Sequence, residues 1–264
     1  MTLIENISII ITNKFIVKAG DIMKIIMNLT LKNSEIVKDY SPSFVSFIKN
    51  ALSKYDEDLF NKIYKSEPDK EKDFCFCVRL DKPKFESEKI KLDSGNVQIT
   101  MSVLSPVEGI DFYNAFLMQK SKSYPFPNEN LITLNQIKME NHRVVRSPSV
   151  LIKMCSPLLV RKHEGKIDTY LAYNDTDFQR CFSLSVKKML NNLVPDVLNT
   201  DVAIVPVKPF KTVVNTFGNK ITGNIGIYRI SADVKVIDLI SHLGAGSRRS
   251  QGFGMFEIIA EVKS

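Results

Sequence analysis

The chain has 264 residues, enough for one large domain or two of ordinary size, and 44% of them are hydrophobic, which is ample for a buried core. The formal net charge of +7 and an isoelectric point of about 9.1 favour a polyanionic partner over an acidic or neutral one. Because no apolar stretch has the length of a transmembrane span and no basic leader precedes the N-terminal apolar residues, we expect a cytoplasmic protein with no membrane partner.

The first half of the chain predicts the order strand, strand, helix, strand, strand, helix. The sequence Ser41-Pro42-Ser43 has a cap and a proline suited to a first helical turn, and apolar residues then recur at spacings of three and four up to Tyr55. A charged stretch at residues 65–72 is typical of a loop. Strands are predicted at residues 7–17, 23–31, 74–80 and 96–104, and further helices at residues 59–64 and 111–118.

The second half is richer in strand patterns and follows a proline-containing segment, residues 121–130, that has the composition of a linker. Strands are predicted at residues 131–139, 150–159, 170–173, 202–207, 211–214, 221–230 and 255–259, and a helix at residues 177–193. Strands and helices alternate similarly in both halves. This pattern predicts an α+β chain of two domains, residues 1–125 and residues 126–264.

The four cysteines have no spacing typical of a metal site. Cys75 and Cys77 are separated by one residue in an apolar run, so strand alternation places both thiols on one face, where we expect them to be buried as small hydrophobic groups. Cys155 and Cys181 are isolated in the sequence. Since no metalloprotease, serine-nucleophile or acidic metal motif occurs either, we expect no metal ion and no cofactor.

The most distinctive segment of the chain is GAGSRRSQGFG, residues 244–254, which we call the glycine loop. Four of the chain's eleven glycines fall within it, and Arg248 and Arg249 lie between the two glycine pairs. Glycine lets a backbone approach a ligand closely, so such a loop can direct backbone N–H groups and arginine side chains at phosphate oxygens. The glycine loop therefore predicts an anion site, and a nucleic-acid backbone is the long anion that fits it best.

The glycine loop lacks the spacing of the common nucleotide-binding loops. A dinucleotide fingerprint has an earlier third glycine and an acidic residue about twenty positions on, and a Walker loop ends in Gly-Lys-Ser/Thr. The alternative is a glycine-rich hairpin whose arginines are solvated. Further basic residues of the second half favour a nucleic-acid groove, and they are Arg161, Lys162, Lys166, Lys187 and Lys188.

None of the three histidines has the sequence context of a general acid or base. His142 lies in a polar turn, and His163 lies at the tip of a basic hairpin. His242 lies two residues before the glycine loop, and both a packing role and a contact with RNA remain open for it. A surface or packing role is the better interpretation for each of them.

Three segments of the second half resemble one family. Residues 236–258, with an apolar lead-in, the glycine loop and its basic stretch, resemble the C-terminal signature of the CRISPR-associated repeat-RNA processing endoribonucleases of the RAMP superfamily. Residues 154–162 (MCSPLLVRK) resemble the family's serine-proline strand entry, and residues 170–178 are similar to its next strand and helix start. The resemblance covers most of residues 130–264 and implies two tandem ferredoxin-like (RRM-like) domains.

The resemblance also implies a reaction, the metal-independent cleavage of repeat RNA in a long precursor. A ribose 2′-hydroxyl attacks the adjacent phosphate, which leaves a 2′,3′-cyclic phosphate and a 5′-hydroxyl on the mature crRNA and its neighbour. The chemistry needs a base, an acid and a cation for the phosphorane charge. CRISPR repeat RNA is therefore the expected partner, and a crRNA-guided effector complex or a homodimer is compatible with the family.

The catalytic positions of the family are only partly matched in this sequence. Many members place a histidine, a tyrosine and a lysine around the helices of the first domain. Here the position of the histidine corresponds to Tyr64, that of the tyrosine to Lys49, and that of the lysine to Lys70 or Lys72. The pKa values of tyrosine and lysine lie near 10, too high for efficient proton transfer at neutral pH, but a lysine stabilises a phosphorane as a cation.

Each of these candidates has an ordinary alternative. Tyr64 would pack as an aromatic residue on the helix face with its hydroxyl outward, and Lys49 would be a solvated helix lysine. The protein would then be a catalytically weak or inactive crRNA-binding subunit, or another ferredoxin-fold RNA-binding protein.

The residues expected to bind RNA come from the glycine loop and from one basic run earlier in the second half. Because arginine stays protonated, Arg248 and Arg249 bind phosphate without transferring protons, and we expect both to be exposed. The full set is Gly244, Gly246, Ser247, Arg248, Arg249, Gln251, Gly252, Arg161 and Lys162.

Overall fold

Two antiparallel sheets, each packed against helices, form the framework of the chain. The computed structural model describes residues 23–66, 71–141, 144–194 and 201–262. The predicted strand at residues 7–17, the candidate catalytic residue Lys70 and the histidine His142 therefore lie outside the described residues.

The first half of the chain forms a ferredoxin-like domain. Its elements, in chain order, are β1 (Met23–Leu31), β2 (Glu35–Val37), α1 (Ser41–Tyr55), α2 (Glu57–Tyr64), β3 (Phe74–Leu80), β4 (Lys84–Phe85), β5 (Lys89–Lys91), β6 (Asn96–Val103), α3 (Pro106–Leu117), β7 (Ser123–Phe126) and β8 (Asn130–Asn141). The main sheet has the strand order β3-β6-β1-β8-β7, and β2, β5 and β4 form a small separate sheet. With α1 after β1 and α3 after β6, the main sheet has the βαββαβ arrangement of the ferredoxin-like fold, and β7 is added at one edge.

Helices α1 and α2 begin where their sequences favour it. Pro42 lies in the first turn of α1, where its missing N–H costs no hydrogen bond. The carboxylate of Asp56 caps α2 by accepting a hydrogen bond from the N–H of Leu59 at 2.9 Å. The buried face of α1 comprises Phe44, Phe47, Ile48, Ala51 and Leu52, each no more than 1% exposed.

Helix α3 begins earlier than the predicted residue 111. Pro106 lies in its first turn, and the hydroxyl of Ser105 accepts a hydrogen bond from the N–H of Glu108 at 3.3 Å. This cap and the proline together explain the start of the helix, because both features satisfy or remove donors that a first turn leaves unpaired.

The segment at residues 121–130 is not a linker, which corrects the sequence prediction. It contains β7, which pairs with β8, and β8 pairs with β1 along almost its whole length. The sheet of the first half therefore extends to Asn141, and the next strand begins at Ser149 in the other sheet. The expected boundary between residues 125 and 126 falls inside β7.

The second half forms another ferredoxin-like domain. Its elements are β9 (Ser149–Met154), β10 (Val160–Glu164), β11 (Ile167–Leu171), α4 (Phe178–Leu193), β12 (Ala203–Thr216), β13 (Asn219–Ser231), α5 (Val234–Leu243) and β14 (Phe256–Glu261), with a short 3₁₀ turn at Arg249–Gln251. The strand order is β12-β13-β9-β14, and β10 pairs with β11 in a separate hairpin. The chain is thus an α+β protein with two tandem ferredoxin-like domains, as the resemblance implied.

Helix α5, directly before the glycine loop, was not predicted from the sequence. The carboxylate of Asp233 caps its start by accepting a hydrogen bond from the N–H of Lys235 at 2.8 Å. One face of the helix is buried in the second core through Val236, Ile237 and Ile240.

Among the helices of the described part of the chain, none combines the length and apolar character that crossing a membrane requires.

Two predicted strands of the second half merge into one. The strands expected at residues 202–207 and 211–214 are parts of β12, whose pairing with β13 shifts register between Pro206 and Lys208. β12 and β13 together form a long hairpin that extends from the second sheet.

The helix expected at residues 177–193 is confirmed as α4.

The glycine loop joins α5 to β14 and packs against β3 of the first domain. Cys75 and Cys77 of β3 form a buried apolar cluster with Met255, which follows the loop. The thiol of Cys75 donates a hydrogen bond to the backbone carbonyl of His242 at 3.0 Å. The end of α5, the glycine loop and the start of β14 therefore contact the first sheet.

Candidate functional site

The glycines of the loop are required by close packing within the protein. At Gly244, φ is 71°, and an added Cβ would lie 3.2 Å from the Cβ of Cys75 on β3. At Gly252, φ is 94°, and an added Cβ would lie 3.1 Å from the ring of Phe76 on the same strand. Both the positive φ and the short distances favour glycine, so glycine at these two positions lets the loop pack closely against the first domain.

Several backbone N–H groups of the glycine loop donate to carbonyls of the protein itself. The N–H of Ser247 donates to Leu159 at 2.8 Å, that of Ala245 to Gly254 at 2.9 Å, and that of Gly254 to Pro157 at 3.0 Å. These donors are already satisfied. The phosphate contacts predicted for the loop therefore depend on its remaining N–H groups and on its side chains.

Arg249 is buried, so the expectation that both arginines of the loop are exposed was wrong for this residue. Only 3% of its surface is accessible. Its guanidinium donates hydrogen bonds to the backbone carbonyls of Leu243 at 2.7 Å and Lys72 at 3.0 Å, and it pairs with the carboxylate of Glu71 at 2.9 Å. These partners offset the desolvation of a buried charge. Arg249 thereby ties the glycine loop to the segment that precedes β3.

Arg248 is the half-buried arginine of the glycine loop. Its Nε donates to the hydroxyl of Tyr170 at 2.8 Å, and its Nη1 donates to Oε1 of Gln251 at 3.2 Å. The guanidinium lies 5.7 Å from the centre of the Tyr170 ring. A guanidinium has five N–H donors, so these two bonds leave others for a bound anion.

A cleft of about 340 Å³ lies beside the glycine loop. The structure brings together four of the predicted RNA-binding residues at this cleft, and they are Arg161, Lys162, Gly246 and Ser247. Arg180 and Lys188 of α4 also line it. Sequence reasoning did not single out Arg180, because its place beside the β10–β11 hairpin depends on how α4 packs.

Acidic side chains neutralise part of the charge of this cleft. Lys162 pairs with Asp177 at 2.8 Å and with Glu164 at 2.9 Å, and the hydrogen bond that Lys162 donates to Asp177 is the main reason that the pKa of Lys162 is raised. Arg161 pairs with Asp168 at 3.1 Å. Exposed ion pairs of this kind stabilise a fold by less than about 1 kcal/mol each, so an incoming phosphate can compete for the cations.

Three of the four predicted catalytic residues meet around one aromatic ring. The Nζ atom of Lys49 lies 4.7 Å from the centre of the Tyr64 ring, and that of Lys72 lies 5.9 Å from it. Lys49 projects from α1, Tyr64 ends α2 and Lys72 precedes β3. Residues far apart in the sequence thus converge through the packing of the first domain.

The hydroxyl of Tyr64 points inward. The alternative packing role predicted for this residue had the hydroxyl facing outward. Its oxygen is buried and makes no hydrogen bond within the described residues. Burial raises the pKa of this hydroxyl well above its ordinary value. The ring also packs against Phe60, with 5.5 Å between the ring centres. Tyr64 is therefore poorly suited to proton transfer and instead offers its ring to two ammonium groups.

Asp73, the residue after Lys72, forms a carboxyl pair with Glu108 that the sequence analysis did not identify. The side chain of Asp73 is hydrogen-bonded to that of Glu108, which pairs with Nζ of Lys62 at 2.7 Å. Ionised carboxylates only accept hydrogen bonds, so this contact requires a proton between the two groups. Burial, followed by the hydrogen bond and charge of Glu108, raises the pKa of Asp73 to about 7.

The described histidines, His163 and His242, both belong to the second domain. His163 is exposed on β10, with its Nδ1 2.7 Å from a carboxylate oxygen of Asp168. His242 is 2% exposed on α5, and its Nε2 lies 3.9 Å from the carboxylate of Asp238. Of the two roles left open for His242, packing is the one its burial favours.

A second cleft, of about 370 Å³, lies where the glycine loop meets β3 and β12. Its walls include Tyr40, Phe76, Val213 and Phe253, and Gln251 is among its polar residues. These walls come from distant parts of the chain, which is why no local sequence pattern indicated the cleft. Their largely apolar and aromatic character suits a flat, uncharged chemical group.

The second half of the chain matches a known family. Residues 139–258 match the family described as CRISPR associated protein Cas6, C-terminal. Residues 139–258 are thus similar to the C-terminal part of Cas6 proteins. The match confirms the resemblance to CRISPR-associated repeat-RNA processing proteins, whereas no curated protein sequence matches the chain.

Solved Cas6 and RAMP structures have the same fold along almost the whole chain. The product of a Cas6-related gene from Pyrococcus furiosus is 17% identical, covers 92% of this chain and 100% of its own, and has a TM-score of 0.79. A RAMP protein that binds different RNA substrates is 18% identical, with coverages of 90% and 100% and a TM-score of 0.77. A Cas6 product complex is 12% identical, with coverages of 90% and 100% and a TM-score of 0.69. The shared fold thus includes the first domain, which the family match does not reach.

Proposed function

We propose that this chain is a CRISPR precursor-RNA endoribonuclease. In this proposal it binds repeat RNA and cuts it without a metal ion by attack of a ribose 2′-hydroxyl, which leaves a 2′,3′-cyclic phosphate on the crRNA. The observation that carries the proposal is the convergence of the Lys49 and Lys72 ammonium groups on the ring of Tyr64. Two fixed cations at one place are suited to the extra negative charge of a phosphorane.

The contacts of the glycine loop support a path for the RNA. The basic cleft beside the loop is lined by Glu71, which directly precedes Lys72 and pairs with Arg249. An RNA backbone held in this cleft would therefore lead towards the two lysines. The net charge of +7 supports a polyanion as the ligand. The RNA substrates of the similar RAMP protein and the product complex of the similar Cas6 protein support it too.

The chemistry available at the lysines is mainly electrostatic. Lys49 and Lys72 would hold the scissile phosphate in line with the attacking hydroxyl and stabilise the transition state by charge. Tyr64 would position the ammonium groups through its ring, since its buried hydroxyl has no route to the substrate in the observed arrangement. Because no fast proton-transfer group is assigned to the reaction, we expect slow cleavage.

The buried hydroxyl of Tyr64 also favours a second candidate, a crRNA-binding subunit that does not cut. In that case the basic cleft and Arg248 would hold repeat RNA, and the lysines would only contact its backbone. A crRNA-guided effector complex would then be the destination of the bound RNA, and a homodimer would be a further assembly to test by its mass in solution. Binding without cleavage distinguishes this candidate from the endoribonuclease.

The decisive experiment for the proposed reaction is single-turnover cleavage of a repeat RNA from the array that encodes it. We expect cleavage to persist in excess chelator and to yield a 2′,3′-cyclic phosphate end. An RNA with a single 2′-deoxy nucleotide on the 5′ side of the cut should bind equally well and remain intact, because the attacking group is missing. Chelator-sensitive cutting, or cutting of the deoxy RNA, would exclude this mechanism, and tight binding without any cutting would support the second candidate.

A further inference from the structure

Two thiols from different domains meet where the glycine loop packs on β3. Cys77 belongs to β3 and is 6% exposed, whereas Cys155 directly follows β9 and is exposed. Both are free cysteines that lie beside Met255, and the side chain of each shifts the pKa of the other. The contact therefore joins one solvent-accessible thiol to one buried thiol across the domain boundary.

The backbones that carry these two thiols are held firmly together. The N–H groups of Cys155 and Ser156 both donate to the backbone carbonyl of Met255, at 2.9 and 3.1 Å. Met255 in turn packs with Cys75 and Cys77 in a buried cluster. Because both partners sit on anchored backbone, the thiols meet without a large rearrangement of either domain.

The surroundings make Cys155 the more reactive thiol of the pair. The hydrogen bond from Cys77 is the main cause that lowers the pKa of Cys155, and the ammonium groups of Lys24 on β1 and Lys153 on β9 act in the same direction. Partial desolvation of the Cys155 sulfur and the carboxylate of Glu257 on β14 oppose them. The pKa of Cys77 is raised, first by the same hydrogen bond and then by burial. Cys155 is thus the nucleophile, and Cys77 retains its proton until it reacts.

We propose that Cys155 is a site of oxidation by hydroperoxides and that it then forms a disulfide with Cys77, which links the two domains covalently. The thiolate of Cys155 attacks one peroxide oxygen, the O–O bond breaks, and Cys155 becomes a sulfenic acid while the peroxide leaves as an alcohol or water. The sulfur of Cys77 then attacks the sulfenic sulfur, the S–O bond breaks, and water leaves with the proton of Cys77. Two thiols lose two electrons in total, and the hydroperoxide gains them.

The position of this disulfide connects it to the glycine loop. Cys77 is adjacent to Phe76, whose ring contacts Gly252, and Cys155 is adjacent to Met154 at the end of β9. A covalent link between these strands would hold the loop against β3. In the reducing cytoplasm, where we place the protein, such bonds are typically transient and respond to oxidants. The inference does not depend on RNA cleavage.

The test is mass spectrometry of the full-length protein after oxidation. Reduced protein is treated with a small molar excess of hydrogen peroxide, alkylated under denaturing conditions and digested without reductant. We expect an intramolecular peptide pair that contains Cys77 and Cys155, together with the loss of two titratable thiols, and reversal of both by dithiothreitol. The oxidised protein should also melt at a higher temperature than the reduced protein, since the link restricts the unfolded chain.

Variants sharpen this test. Cys155→Ser should prevent the disulfide and abolish the rise in melting temperature, whereas Cys181→Ser should leave both unchanged. In Cys77→Ser, Cys155 should be trapped as a sulfenic acid that a dimedone reagent labels. The proposal is overturned if peroxide modifies Cys75 or Cys181 as readily as Cys155. It is equally overturned if the wild-type protein forms only disulfide-linked dimers, or if Cys155 proceeds to the sulfinic acid while Cys77 stays reduced.

Discussion

At the scale of single residues, Tyr64 shows how a side chain can occupy the position predicted for a catalytic residue in a state unsuited to proton transfer. Its hydroxyl is buried without a hydrogen-bond partner among the described residues, and its ring faces Lys49 and Lys72. A phenol in that state neither gives nor takes a proton readily near neutral pH. The contribution of Tyr64 to the site therefore comes from its ring.

This assignment predicts that Tyr64→Phe is well tolerated. Removing a buried hydroxyl with no partner should leave the free energy of unfolding unchanged or raise it by about 1 kcal/mol, and the single-turnover rate should stay within about twofold of wild type. Tyr55→Phe is the matched control, since the Tyr55 hydroxyl donates to Asp111 at 3.3 Å and its loss should destabilise by about 1 kcal/mol. Urea unfolding and repeat-RNA cleavage measure both quantities. A large loss of rate in Tyr64→Phe would return the hydroxyl to the mechanism.

Asp73 predicts a pH dependence of stability. Because the folded protein holds the proton of Asp73 up to a pKa of about 7, well above the value in the unfolded chain, the stabilisation from this group is fully present below pH about 4. It is lost progressively as the pH rises through about 7. Asp73→Asn keeps a donor towards Glu108 at every pH, so the variant should become more stable than wild type by about 2 kcal/mol at pH 8.

The measurement for Asp73 is urea unfolding of wild type and Asp73→Asn at pH 5 and pH 8. The difference between the two proteins should grow in favour of the variant at the higher pH. Asp58→Asn serves as the control, because Asp58 is exposed in the first turn of α2 and should show the same difference at both pH values. A difference for Asp73→Asn that does not change with pH would mean that Asp73 is ionised throughout this range.

At the scale of secondary-structure elements, the sequence predicted correctly those elements whose structure is specified by residues close together in the sequence. The helix that begins at Ser41 and the strand at residues 74–80 were predicted correctly, because a proline, a cap and the spacing of apolar residues specify them. The hairpin at residues 123–141 was taken in part for a linker. Its pairing with β1 depends on contacts across most of a domain, which composition does not reveal.

The glycine loop illustrates the same limit at the candidate site. Its glycines and arginines were recognised in the sequence, but their roles depend on a strand far away in the chain. Gly252 fits against Phe76, and Arg249 is buried by partners that precede β3. Residue type alone favours an exposed arginine, so the burial of Arg249 could not be predicted without knowing that Glu71 lies beside it.

The burial of Arg249 predicts that the two arginines of the loop differ in their effect on stability. Arg249→Ala leaves Glu71 unpaired and two carbonyls without their donor, so it should lower the free energy of unfolding by about 2–3 kcal/mol. Arg248→Ala should change it by less than about 1 kcal/mol, since Arg248 is half-buried and its partners reach solvent. Thermal and urea unfolding compare the two variants. Equal stability of Arg249→Ala and wild type would show that the loop does not depend on this tie to the first domain.

At the scale of the whole molecule, the proposal assigns RNA binding mainly to the second ferredoxin-like domain and RNA cleavage to the first. The second domain supplies Arg248 and the basic cleft, and the first domain supplies Lys49 and Lys72. Arg249 couples the two parts, because it belongs to the glycine loop and donates to the backbone carbonyl of Lys72. RNA binding and RNA cleavage should therefore respond to mutations in different domains.

The most direct test of this account is the single-turnover cleavage rate at saturating protein, measured together with the affinity for the same repeat RNA. Lys49→Ala should lower the rate about 100-fold with little change in affinity, because a transition-state cation is lost. Arg248→Ala should weaken binding about tenfold and reduce its salt dependence, with little change in the saturated rate. Lys54→Ala, a control on the last turn of the same helix α1, should match wild type in both. If Lys49→Ala cuts repeat RNA as fast as wild type, the lysines around Tyr64 are not the site of cleavage.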